Sequence, residues 1–239
     1  SDVCSSDLVP LATYGITAFL VLIYVCSLGL TLAWIGGPDA PLAGFSPDTL
    51  ALLGGNTPTL TAGELQLTRL ISAISLHENL MHLVLNAICL IVVGRWVERI
   101  LGWQWVAIGF LATGFMGSVL SLAMMPDYVV SVGASGAIMG LAPVCLFALS
   151  KLRDTNFKFN QVLWVSAVLC YALFDALRGK EEIDHAAHIG GAISGGFLAL
   201  MLWGLSWIRP QPLVTLALQL LSAFGLGLFA LITLVNLLF

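Results

Sequence analysis

An all-α, polytopic bundle of membrane-crossing helices is the fold class this sequence predicts, and three observations carry it. Of 239 residues, 59% are hydrophobic and only 9% charged, with a mean hydropathy of +1.00. A soluble domain carries about 25% charged residues, so this chain lacks the polar surface to stay in water. Apolar runs recur along it at about the 20 residues a helix needs to cross the hydrocarbon layer. With one exception the polar connections between those runs are short, which makes consecutive helices antiparallel neighbours.

The first eight residues, 1–8, are polar, with no positive n-region and no small-residue cleavage site, and are set aside as a tail. Seven spans follow, over Val9–Trp34, Leu76–Val97, Trp103–Met125, Ala134–Leu149, Phe159–Leu177, Ala186–Trp207 and Leu213–Phe239. The fourth is short and rich in small residues. A short helix survives at membrane depth only where surrounding protein satisfies its ends, which puts it at the bundle centre. Residues 35–75 form the long connection, where Pro38, Pro41, Pro47, Pro58 and several glycines predict irregular backbone with short interfacial helices. Trp34, Trp103, Trp105, Trp203 and Trp207 stand at span ends, as interfacial anchors do.

Charge sets the orientation. Arg95, Arg99, Lys151, Arg153, Lys158 and Arg209 follow the second, fourth and sixth spans, and only Arg69, Arg178 and Lys180 lie on the other side. The positive-inside bias puts the N-terminus in the cytoplasm and the starts of the second, fourth and sixth spans at the outer face. A net charge of −4 leaves no basic stripe for nucleic acid. The five cysteines (Cys4, Cys26, Cys89, Cys145 and Cys170) are scattered singly, so no zinc knuckle or redox pair is expected.

That orientation collects the chemistry into one layer. His77 and His82 start the second span, Ser135 the fourth, and His185 and His188 the sixth. At 1.5 Å per residue, all fall within about 10 Å of the outer boundary. Four-residue spacing puts His82 and Asn86 on one helix face. They read either as interhelical hydrogen bonds, worth about 0.6 kcal/mol each, or as two donors to a developing oxyanion. Gly136 and Gly140 on the fourth span, and Gly191 and Gly195 on the sixth, are small-xxx-small pairs that let backbones approach closely.

These two glycine rows are expected to pack on each other, bringing Ser135 and His188 to the outer end of one contact. There a histidine can act as general base for a hydroxyl too weakly nucleophilic unaided. Gly-x-Ser-Gly alone equally describes small-residue packing. The Gly-x-Ser-x-Gly elbow of soluble hydrolases is not met, because Ala137 stands at its second glycine. Asp184, four residues before His188, and Asp175, near the end of the fifth span, are the acids available to orient the base.

Gly133-Ala134-Ser135-Gly136, Ala187-His188-Ile189-Gly190-Gly191 with Gly195, and His77 through His82 to Asn86 together resemble the rhomboid family of intramembrane serine proteases. Arg69-Leu70 looks like the arginine of that family's long first loop, and Gly94, Glu98 and Gly102 match positions following its second helix. The resemblance covers roughly Gly54 to Gly196. It implies a six-helix core over 9–208, with 209–239 as the extra C-terminal helix of a six-plus-one arrangement. It also implies a Ser–His dyad without a third acid and without metal or cofactor. Ser135 would be the nucleophile, His188 the general base and acid, and His82, Asn86 and the Ser135 N–H the oxyanion hole. His77, Gly133, Gly136, Gly191, Gly195, Met139 and Arg69 would support them.

Implied substrates are transmembrane proteins, cut near the outer face of the lipid bilayer. Two positions depart from the family pattern. Thr68 stands where a tryptophan often precedes the arginine, and Met139 replaces an aromatic that some members stack under the histidine. The compact chain and its charge bias point to a bacterial inner membrane.

Two other classes compete. A non-proteolytic rhomboid-like protein that binds transmembrane clients would be expected to lose the serine or the histidine, and both are present. A haem or metal protein could draw on the four histidines, but only His185 and His188 can share a face, with no Asp, Glu or Cys at metal spacing in a helix.

Overall fold

The structure, a computed structural model, describes residues 9–35, 44–126, 128–154, 156, 158–167, 184–207 and 211–238. The expected tail at 1–8, residues 36–43 of the long connection, and the fifth span beyond residue 167 with Asp175 lie outside the described residues. In chain order, α1 (Leu11–Leu30) runs into a π-helical turn over Thr31–Ile35. The long connection carries α2 (Pro47–Leu52), a π-helical turn over Pro58–Gly63, and α3 (Arg69–Ser72) continuing as a 3-10 turn over Ala73–Ser75. The short helical pieces among proline and glycine are as the sequence predicts. Then come α4 (Leu80–Leu101), α5 (Trp103–Met124), α6 (Ser135–Ser150), helical residues 158–167 (α7), α8 (His185–Leu205) and α9 (Pro212–Leu238).

Helices α1, α4, α5, α8 and α9 are long and apolar enough to cross a membrane, and α6 is a shorter apolar helix. The chain is an integral, multi-pass, all-α bundle. Its one β feature among the described residues is an isolated antiparallel bridge between Asn56 and Ser131.

Capping chemistry moves one predicted boundary. Helix α4 begins at Leu80, not Leu76, because the Asn79 side chain accepts the His82 N–H at 2.8 Å and caps the helix there. His77 therefore precedes the helix instead of sitting in its first turn. At the other end of the same helix, the Glu98 carboxylate accepts the Ala12 and Thr13 N–H groups at 2.9 and 2.8 Å and the Thr13 hydroxyl at 2.7 Å. These are start-of-helix donors of α1 that lack intrahelical partners.

At 16 residues, α6 is about 24 Å long, short of the hydrocarbon thickness. It survives by being enclosed by α4, α5 and α8, with Ala137, Leu141, Ala142, Val144, Cys145 and Ala148 fully buried. Its contact with α8 is made by main chain. A Cβ added at Gly191 would stand 1.9 Å from the Gly136 carbonyl oxygen, and one at Gly195 would stand 2.0 Å from that of Gly140. The two glycine rows meet backbone to backbone. Helix α5 joins them, since a Cβ at Gly140 would strike the Thr113 side chain at 2.2 Å and one at Gly117 the Ala187 carbonyl at 2.8 Å.

Candidate active site

The site is built where α4, α6 and α8 begin. Gly133 leads into α6 at φ +117°, a left-handed conformation that costs glycine little and other residues more. Its N–H donates to the Ala73 carbonyl at 2.9 Å. There is no room for a side chain either, because a Cβ would lie 2.8 Å from both Cε1 and Nε2 of His82 and 3.6 Å from Nδ2 of Asn86. The shared face of His82 and Asn86 thus closes directly on the backbone entering Ser135. Asn86 is buried, and its Nδ2 donates to no group among the described residues.

On the opposite side of the α6 start stands α8. The Ser135 Oγ and His188 Nε2 are 2.7 Å apart. That distance follows from the glycine rows, which let the two helix axes close until residues at their N-terminal ends touch. A hydroxyl and an imidazole so placed form a proton-transfer pair suited to nucleophilic acyl chemistry.

His77 lies behind His82. Its ring is edge-on to that of His82, with centroids 5.2 Å apart, and its Nδ1 is 3.2 Å from the Ser75 carbonyl. Burial, reinforced by the neighbouring His82, pushes its pKa down to about 3 against the opposing pull of that carbonyl. The ring is therefore neutral at ordinary pH. A carbonyl only accepts, so Nδ1 carries the proton.

Asp184 caps α8, accepting the Ala187 N–H through Oδ1 at 2.9 Å, and its Oδ2 accepts the Ser131 hydroxyl. Ser131 in turn exchanges two backbone hydrogen bonds with Asn56, at 3.1 and 2.9 Å, and Asn56 Nδ2 donates to the Ser118 carbonyl at 3.0 Å. The sequence offers Asp184 as an acid that could orient His188. Its contacts fix the start of the helix bearing that histidine, and the signal was its N-cap position. Asn56 and Ser131 carried no sequence signal, because their pairing is purely tertiary. A cavity adjoins Ser135, lined in part by Ser118, Ser131, Asp184 and Ala187.

The remaining supporting positions are structural in character. Met139 is buried one turn into α6, and Gly136, Gly191 and Gly195 form the α6–α8 contact. Arg69 is buried, donating from Nη1 to the Ala51 and Gly55 carbonyls at 2.5 and 2.9 Å and from Nε to Gln66 Oε1 at 2.6 Å. Burial lowers its pKa, while the nearby Glu64 works the other way.

Fold and site together define a helical membrane protein in which glycine-packed helices bring a serine hydroxyl onto a histidine. The family model described as the Rhomboid domain matches residues 64–205, more than half of the chain, and the chain belongs to the rhomboid family. RHOMBOID-like protein 6, mitochondrial, of Arabidopsis thaliana is 34% identical over 166 residues, 68% of this chain and 53% of that relative. Rhomboid-like protease 2 of Toxoplasma gondii is 29% identical over 191 residues, 80% of this chain and 65% of the relative. Rhomboid protease GluP of Bacillus subtilis is 34% identical over 157 residues, 65% of this chain and 30% of its own. The chain spans about half the length of the Arabidopsis relatives it matches. Helix α9 lies beyond the matched segment.

Proposed function

We propose that the protein is an intramembrane serine endopeptidase that hydrolyses peptide bonds of transmembrane proteins within the lipid bilayer. The observation that carries this reading is the 2.7 Å contact between Ser135 Oγ and His188 Nε2 at a level where α4, α6 and α8 all begin. Ser135 Oγ attacks the scissile carbonyl carbon while His188 Nε2 takes the hydroxyl proton. The oxyanion accepts hydrogen bonds from Asn86 Nδ2, the His82 ring and the Ser135 N–H. His188 returns the proton to the leaving amine, and water, activated by the same imidazole, releases the acyl group. Membership of a family with relatives named as proteases supports the assignment.

The helices within 9–208 form the reacting core, and 209–239 is an added helix. Asymmetry of Lys and Arg supports a cytoplasmic N-terminus and a site open to the outer side of a bacterial inner membrane. Arg69 shapes the long connection and takes no part in the chemistry.

Labelling of purified protein by a fluorophosphonate probe tests the dyad. Wild type is expected to label at Ser135, and Ser135→Ala and His188→Ala are not. Unlabelled wild-type protein, or label that persists in Ser135→Ala, overturns the proposal; the former result points to a protein that binds transmembrane clients without cutting them.

A further inference from the structure

Helix α9 stands outside the segment matched by the family domain, yet its C-terminal turns reach the layer of the site. Thr233, Asn236 and Leu237 recur at i, i+3 and i+4, one face of the helix. All three meet the segment 68–76. Thr233 is buried, and its Oγ1 is 3.4 Å from the fully buried Ser75 hydroxyl, which also donates to the Ser72 carbonyl at 2.7 Å. Asn236 Oδ1 accepts the Thr68 hydroxyl at 3.1 Å. Its Cβ lies 3.0 Å from where a Cβ on Gly54 would fall, and the Gly54 carbonyl accepts the Ser72 hydroxyl at 2.8 Å. Leu237 shares an apolar cluster with Leu76, and Val132 packs against that cluster.

The 68–76 segment touches the site at two points. Its Ala73 carbonyl accepts the Gly133 N–H at 2.9 Å, fixing the backbone two residues before Ser135. Its Ser75 carbonyl holds His77 Nδ1, and the His77 ring lies edge-on against His82. Pure apolar packing would seat a lipid-facing helix without polar groups. A polar side chain inside a membrane bundle needs a partner, and the buried Thr233 and half-buried Asn236 find theirs in the Ser75 and Thr68 hydroxyls of the segment behind the site.

We propose that α9 is a positioning element of the active site, with Thr233, Asn236 and Leu237 clamping the 68–76 segment that sets Gly133 and, through His77, His82. The proposal rests on the protease reading for its catalytic consequence, but the clamp itself is testable without it. The effect falls on the α4 side of Ser135, so it alters the rate of acylation.

The experiment uses the full chain in lipid, carrying Thr233→Val with Asn236→Leu. Thr233→Ser serves as the conservative variant, and Thr215→Val serves as a control near the other end of α9. Hydrogen–deuterium exchange at 131–134 and 73–77 is expected to speed up about tenfold in the double variant. It should match wild type in Thr233→Ser and Thr215→Val. Fluorophosphonate labelling of the double variant is expected to slow about tenfold. Unchanged exchange at those segments overturns the clamp, as does exchange that rises equally throughout α1 and α4. Faster local exchange with a labelling rate within twofold of wild type overturns the catalytic role. If wild type does not label at all, the protease reading falls, while the exchange measurement still decides the clamp.

Discussion

Between α6 and α8 the backbones themselves touch, with carbonyl oxygens standing where the Cβ atoms of Gly191 and Gly195 would be. Helix α9, by contrast, meets α1 and α5 through an aromatic side chain. The Phe229 ring lies 5.4 Å from that of Phe19 on α1 and 6.0 Å from that of Phe110 on α5. A contact made by main chain has no rotamer to adjust, so the spacing of the two helices is fixed and the Ser135–His188 distance inherits it. A contact made through an aromatic ring can relax by turning the ring or shifting a neighbour. Seating Ser135 and His188 at the end of this rigid contact fixes their separation through main chain.

Several substitutions break or sharpen this contrast. The largest effect is expected at the pair itself. Ser135→Ala or His188→Ala should lower turnover of a single-span substrate by about 10⁴-fold or more with the thermal midpoint preserved. Retained turnover would mean that the close contact serves packing alone. Asn86→Ala should cost about 10²-fold in rate, since one oxyanion donor is lost while others remain; a rate equal to wild type would return Asn86 to the role of interhelical glue.

Gly195→Ala should destabilise the fold by about 1–3 kcal/mol, because a methyl group must displace the Gly140 carbonyl. Phe229→Leu should cost about 1 kcal/mol, the smaller penalty of a contact that can settle. Gly196→Ala, one residue from Gly195 but with nothing within 4 Å of its Cβ position, should stay within about 0.5 kcal/mol or gain slightly through reduced unfolded-state entropy. Thermal unfolding in one detergent compares the three. Equal midpoints for Gly195→Ala and Gly196→Ala would remove the distinction between backbone and side-chain contact.

Much of this was legible in the sequence because membrane helices announce themselves by length and hydropathy. Glycine spacing also reports a face without help from the rest of the fold. Gly136 with Gly140 and Gly191 with Gly195 pointed to each other, and the structure brings them together. The start of α4 was misplaced by hydropathy because Leu76 is apolar and buried, whereas the helix is begun by a polar cap, Asn79. The Asn56–Ser131 pairing that braces the entry to α6 was invisible. It joins residues from two connections by backbone hydrogen bonds, and any sequence can supply those. Thr68, read as a departure from the family pattern, acquires a partner only when Asn236 arrives from the far end of the chain.

Glu98 bears on how two helices are held as one unit. The carboxylate that satisfies the opening N–H groups of α1 sits 85 and 86 residues later in the chain, at the close of α4. Those donors have this partner only where α4 lies alongside, so a single side chain both finishes the start of α1 and fastens the two helices together.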